Sequence, residues 1–227
     1  MEKEANDFGV IFDMDGVLID SEPLYVEMNE ELFSELGIFI DKEEYHKFVG
    51  MSSPLMWGMI KEEFSLPQSV DELMNREKQR IHELLRSDRL SEPIAGVESL
   101  LMDINKAGIP AAVASSSARK NVEMVLSKLD LSGYFKATVC GEDVANGKPA
   151  PDIFLKASAA INTAPENCVV IEDSVNGLRG SLAAGMRCIG YAGDPLSKQD
   201  LTGADLLVKS FHEEDRIAIM KFISRRH

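Results

Sequence analysis

No run of about 18 apolar residues occurs in the chain, so no segment is fit to span a membrane as a helix. The first seven residues mix charges ahead of a short apolar stretch, without the basic-then-apolar order of a secretory leader. Basic residues are outnumbered, 24 against 38 acidic, for a net charge of -14. That balance argues against nucleic acid and anionic lipid as partners, because both need a basic face. The three cysteines, Cys140, Cys168 and Cys188, are too few for a disulfide framework and show no metal-ligand spacing. Each lies in or beside an apolar stretch, which predicts small buried side chains in a reducing cytoplasm. The four histidines, His46, His82, His212 and His227, are scattered, which excludes a paired-histidine metal site. Low-complexity tracts and repeats of about 20 to 50 residues are missing too. What is there, 44% hydrophobic and 27% charged over 227 residues, suits a globular chain with one α/β core and room for a second small domain.

Short apolar runs at 8–12, 109–114, 137–140, 168–171, 188–191 and 206–208 read as strands covered on both faces. Stretches with helical periodicity alternate with them at 97–107, 120–129, 153–161, 175–184 and 215–224. The alternation predicts an α/β fold, a Rossmann-like and mostly parallel sheet with helices on both faces. One connection breaks the rhythm: about 70 residues follow the first strand before the series resumes, too many for a loop. They read as helices at 23–36, 53–64 and 70–85, separated at Gly37 and at 65–69. The expected organisation is a catalytic core of residues 1–20 and 92–227, with an inserted α-helical cap domain at residues 21–91.

Four polar clusters fall at or after strand ends: Asp13-Met14-Asp15-Gly16, Ser115-Ser116-Ser117, Gly147-Lys148-Pro149 and Glu172-Asp173-Ser174. Each has a structural explanation by itself, as a turn, a helix N-cap or a loop. Those explanations do not account for all four, in order, on the side of a parallel sheet where ligands bind. Several carboxylates brought together repel one another unless a cation sits among them, and Mg²⁺ is a hard ion that takes oxygen ligands and phosphate. Lys148 would add a second positive charge. The set therefore makes chemical sense as a phosphoryl-transfer site with Mg²⁺ as its cofactor and a small phosphorylated metabolite as its partner.

With these motifs the chain resembles the haloacid dehalogenase superfamily of phosphatases, in the group with a helical cap after the first strand that includes β-phosphoglucomutase. The resemblance covers residues 8–208. It implies that Asp13 is a nucleophile that becomes an aspartyl phosphate, and that Asp15 is the general acid and base. It implies that Ser115 and Lys148 bind the transferring phosphoryl group, and that Asp13, the Asp15 carbonyl, Asp173 and Glu172 surround the metal. Gly50, Ser52 and Lys78 in the cap, and Ser116 in the core, are the substrate-binding candidates.

The mutase pattern is incomplete. Ser53 stands where a mutase cap carries Arg, and Ala118 where the core carries Lys, while Tyr25 replaces a common His. Losing one bidentate Arg contact costs about 1.5 to 3 kcal/mol. The expected activity is therefore hydrolysis of a phosphate monoester of the sugar or polyol kind, by a monomeric cytoplasmic protein, with mutase activity as the alternative. A dehalogenase would need neither Asp15 nor Mg²⁺, and a noncatalytic module would not need the full motif set. Trp57, Met51, Met56 and Met59 are expected chiefly as cap core.

Overall fold

The computed structural model describes residues 7–45, 47–48, 53–194 and 197–225. The chain divides into two compact units, one comprising the chain up to Asp20 and from Ser91 onward, the other Ser21–Leu90.

The first unit is built on a six-stranded sheet: β1 (Gly9–Phe12), β2 (Ala111–Ser115), β3 (Ala137–Cys140), β4 (Cys168–Glu172), β5 (Arg187–Tyr191) and β6 (Leu206–Val208). The strands run in the order β3-β2-β1-β4-β5-β6, and every pairing is parallel. Every residue of β1, β2, β4 and β5 is buried, as expected for strands covered on both faces. The helices of this unit are α5 (Val97–Lys106), α6 (Arg119–Lys128), α7 (Asp152–Ala160), α8 (Val175–Ala183) and α9 (Glu213–Ile223). In α5 the buried residues Val97, Leu100, Leu101 and Ile104 follow the 3.6-residue period that seats one face on the core. Phe154 and Ala157 of α7 join Ile11, Ala112, Val170 and Cys188 in one continuous cluster. The three cysteines are buried and free.

This strand order reverses direction of build-up around β1, between β2 and β4, and such a switch point opens a crevice at the carboxyl ends of the strands. Phe12 pairs with Val113 on one side and Ile171 on the other. Hence Asp13, Ser115 and Glu172 emerge at the same edge. Ser115 and Glu172 are the last residues of their strands rather than the start of loops, so sheet pairing fixes their backbones.

The second unit contains α1 (Glu22–Glu35), α2 (Lys42–Tyr45), α3 (Ser53–Phe64) and α4 (Val70–Arg86). Its core gathers Leu32, Phe33, Tyr45, Met56, Trp57, Ile60 and Leu73. Phe33 meets Trp57 edge to face at 5.8 Å between ring centroids. Such a pair contributes about 0.5–1.5 kcal/mol beyond the area it buries. Ser69 opens α4 with a capping box, its hydroxyl accepting from Glu72 N–H at 3.2 Å and the Glu72 carboxylate accepting from Ser69 N–H at 2.7 Å. Among the described residues no helix is long and apolar enough to cross a membrane.

Candidate active site

Asp13 follows directly on β1, and its N–H donates to the Ile171 carbonyl of β4 at 3.0 Å, which continues the ladder one residue past the strand. The chain then turns sharply. Leu18 and Ile19 N–H both donate to the Met14 carbonyl, and Gly16 N–H donates to the Ile19 carbonyl at 2.8 Å. Gly16 has φ +75°, and a Cβ there would overlap the Asp173 carboxylate, so the turn needs glycine twice over.

Lys148 reaches back from the loop before α7 and joins two strands. Its Nζ donates to Asp13 Oδ1 at 2.6 Å and to Glu172 Oε1 at 2.5 Å. The side chain is 7% exposed, and Glu172 is fully buried. Glu172 spends its other oxygen, Oε2, on the N–H of Asp173, the N–H of Ser174 and the Ser174 hydroxyl. Ser174 is also the N-cap of α8, accepting from Gly177 N–H at 3.0 Å. One buried carboxylate thus fixes the lysine and the start of a helix together.

The charges do not balance. Asp13, Glu172 and Asp173 each bring a carboxylate oxygen within 4.8 Å of the others, with Lys148 as the cation bonded among them. Fully ionised, that group carries two excess negative charges. Burial pushes the Asp13 carboxyl up to about 7 against the pull of Lys148, and neighbouring Glu172 and Asp15 push it the same way. Burial likewise raises Asp173, followed by repulsion from Glu172 and Asp13. Burial works to lower Lys148, but the Asp13 and Glu172 carboxylates outweigh it and hold the ammonium protonated. Closely grouped, buried, hard oxygen donors with excess negative charge fit a divalent cation such as Mg²⁺.

Asp15 stands outside the three-carboxylate group, and its Oδ2 accepts from the Ser117 hydroxyl at 2.9 Å. Ser115, 1% exposed, accepts from Ser117 N–H at 3.1 Å through its hydroxyl oxygen. Asp13, Lys148, Glu172 and Asp173 are therefore brought into one group, with Asp15 and Ser115 linked beside it through Ser117. Ser116 is exposed just past β2. Lys78 is exposed on α4 in the other unit. Gly50, Ser52 and Met51 lie outside the described residues. Ser53, expected in the place of a mutase arginine, is half-buried at the start of α3, and Glu77 on α4 accepts from Trp57 Nε1 at 3.0 Å. Met56 and Trp57 are buried in the core of that unit, whereas Met59 is 43% exposed.

The roles of Ser117 and Ser174 in holding other site residues were not foreseen from sequence. Their signal was faint: each lies two residues beyond a site residue, Ser115 and Glu172, at the spacing where a hydroxyl and a backbone N–H meet across a turn.

The class is an α/β protein with a doubly wound parallel sheet whose switch point gathers three carboxylates around one lysine. Residues 10–191 match the model of the haloacid dehalogenase-like hydrolase family, and the chain belongs to that family. It is 33% identical over 183 residues to a phosphorylated carbohydrates phosphatase of Thermotoga maritima, covering 79% of this chain and 82% of that one. It is 32% identical over 216 residues to the β-phosphoglucomutase of Bacillus subtilis, covering 90% and 94%. The structure of CbbY from Rhodobacter sphaeroides in complex with xylulose-(1,5)bisphosphate superposes with a TM-score of 0.77 at 29% identity, covering 92% and 96%. The chain is thus a hydrolase of this family with phosphatases among its relatives.

Proposed function

We propose that the protein is a Mg²⁺-dependent phosphatase of small sugar or polyol phosphate monoesters, acting through an aspartyl phosphate on Asp13. The observation that carries this reading is Lys148 bonded at once to Asp13 and Glu172, with Asp173 beside them. In the first half-reaction an Asp13 oxygen attacks phosphorus, the bond to the leaving oxygen breaks, and Asp15 gives that oxygen a proton. In the second, water attacks the same phosphorus, Asp15 takes the water proton, and Asp13 is released with inorganic phosphate. Lys148 and the Ser115 hydroxyl bind the phosphoryl oxygens, and Glu172 holds Lys148 in place. Asp13, Asp173 and the Asp15 carbonyl, with Glu172 adjoining, would hold Mg²⁺, which when bound neutralises phosphate charge.

The mutase reading has the Bacillus relative in its favour. Against it, a mutase must retain a bisphosphate while it turns over, which needs a cation at each end. Here Ser53 and Ala118 stand at the two positions expected to carry those cations, and neither has a charge. The sugar should leave before it is rephosphorylated. Phosphorylated sugars also fit what the relatives' names say of those proteins. Buried free cysteines suit a reducing cytoplasm, where such metabolites occur.

The test is a panel of phosphate monoesters with Mg²⁺, including β-glucose 1-phosphate with a trace of its 1,6-bisphosphate. Free phosphate and glucose 6-phosphate are measured on the same sample. Phosphate release with little glucose 6-phosphate is expected; fast isomerisation without phosphate release would establish the mutase instead.

A further inference from the structure

Ser117 stands two residues past β2, on the turn into α6, and the hydrolysis described above does not use it. Its hydroxyl donates to Asp15 Oδ2 at 2.9 Å, across 102 positions of sequence. Its N–H donates to Ser115 Oγ at 3.1 Å. One residue therefore ties the hydroxyl that meets the phosphoryl group to the carboxyl that serves the leaving oxygen.

We propose that Ser117 is a positioning residue that holds the Asp15 carboxyl where it can protonate the leaving oxygen. This rests on Asp15 being the acid of the proposed hydrolysis. In that step the Asp13 Oδ–P bond forms, the P–O bond to the leaving group breaks, and the Asp15 proton moves to the departing oxygen. An aspartate on a turn has several staggered rotamers open to it. A displacement of about 1 Å in a reacting group can cost about 10²-fold in rate. The Ser117 hydroxyl selects among those rotamers from a turn that is itself held by Ser115. A serine that gripped substrate directly would act differently: its loss would weaken every ester alike. A positioner of the acid matters only where the leaving oxygen needs a proton.

The experiment compares kcat/KM for phenyl phosphate and p-nitrophenyl phosphate, at saturating Mg²⁺, for the parent, Ser117→Ala and Ser117→Thr. This ratio stops at the first irreversible step, so it reads departure of the leaving group rather than breakdown of the aspartyl phosphate. Nitrophenolate departs readily without a proton, and phenolate does so far less well. Ser117→Ala should lower kcat/KM about tenfold on phenyl phosphate and about twofold or less on the nitrophenyl ester, out of the roughly 10²–10⁴-fold that an acid supplies. Ser117→Thr, which keeps the hydroxyl, should restore the parent ratio. An equal loss on both esters, or no loss on either, overturns the proposal. Asp13→Asn serves as the separate control: it should be inactive on both esters, and activity there would instead sink the hydrolysis mechanism on which the proposal stands.

Discussion

Replacing Lys148 by Met removes the ammonium but keeps an unbranched apolar stem of similar length over Phe154, whose ring centroid lies 5.1 Å from Nζ. Asp13 and Glu172, at 2.6 and 2.5 Å from Nζ, then lose their shared counter-charge. At an effective dielectric constant of about 20, each contact at such distances is worth about 6 kcal/mol of Coulomb attraction. Desolvation of the ions offsets most of that gain, and breaking a buried pair by removing one partner costs about 3–5 kcal/mol. For a chain of this size, where 1 kcal/mol moves Tm by about 2–4 °C, the loss corresponds to roughly 10 °C. Thermal denaturation in EDTA, with no metal to stand in for the lysine, reads it directly. Adding Glu172→Gln to Lys148→Met should recover part of the loss, because the second change removes an uncompensated buried charge. An unchanged Tm in the single variant, or no recovery in the double, would refute the view that Lys148 neutralises a strained acidic group.

Gly16→Ala should cost about 1–2 kcal/mol from its left-handed φ alone and also displace Asp173, seen as a lower Tm and a higher Mg²⁺ concentration for half-maximal activity. EDTA should abolish turnover and Mg²⁺ restore it, whereas Ca²⁺, with looser and higher coordination, should restore little; activity indifferent to EDTA would contradict the metal assignment. Burial raises the Glu77 carboxyl above its ordinary range, against the pull of Ser53, Trp57 and Lys78. The folded form therefore holds this proton more tightly than the unfolded, and the cost of ionising Glu77 grows as pH rises through that window and is complete above it. Glu77→Gln should accordingly be as stable as the parent or more so at pH 7, with the difference fading in acid. Glu77→Ala should lose about 1–3 kcal/mol by stranding the Trp57 N–H, and chemical denaturation across pH checks both.

The alternation of apolar runs and helical stretches was enough to foresee a parallel sheet, because strands covered on both faces must be apolar throughout and helices cannot hide their 3.6-residue period. The position of the acidic residues was legible for the same reason: Asp13 and Glu172 are polar residues ending apolar runs. What sequence did not show is how the side chains are spent. The Glu172 carboxylate is engaged by Lys148, Asp173 and Ser174, which depends on the α8 N-terminus meeting the end of β4. The Ser117–Asp15 bond spans 102 positions and exists only because β1 and β2 are neighbours in register.

The claim that Asp13 becomes phosphorylated is tested most directly by trapping the intermediate. The enzyme is mixed with Mg²⁺ and a turning-over phosphate ester, quenched in acid within the steady state, reduced with borohydride and digested for mass spectrometry. An acyl phosphate is reduced to the alcohol while a free carboxylate is not, so the peptide containing residue 13 should carry homoserine in place of Asp13, in proportion to the phosphorylated fraction. Reduction only at another carboxylate, or none during active turnover in a quench that preserves a known acyl phosphate, would contradict Asp13 as the nucleophile.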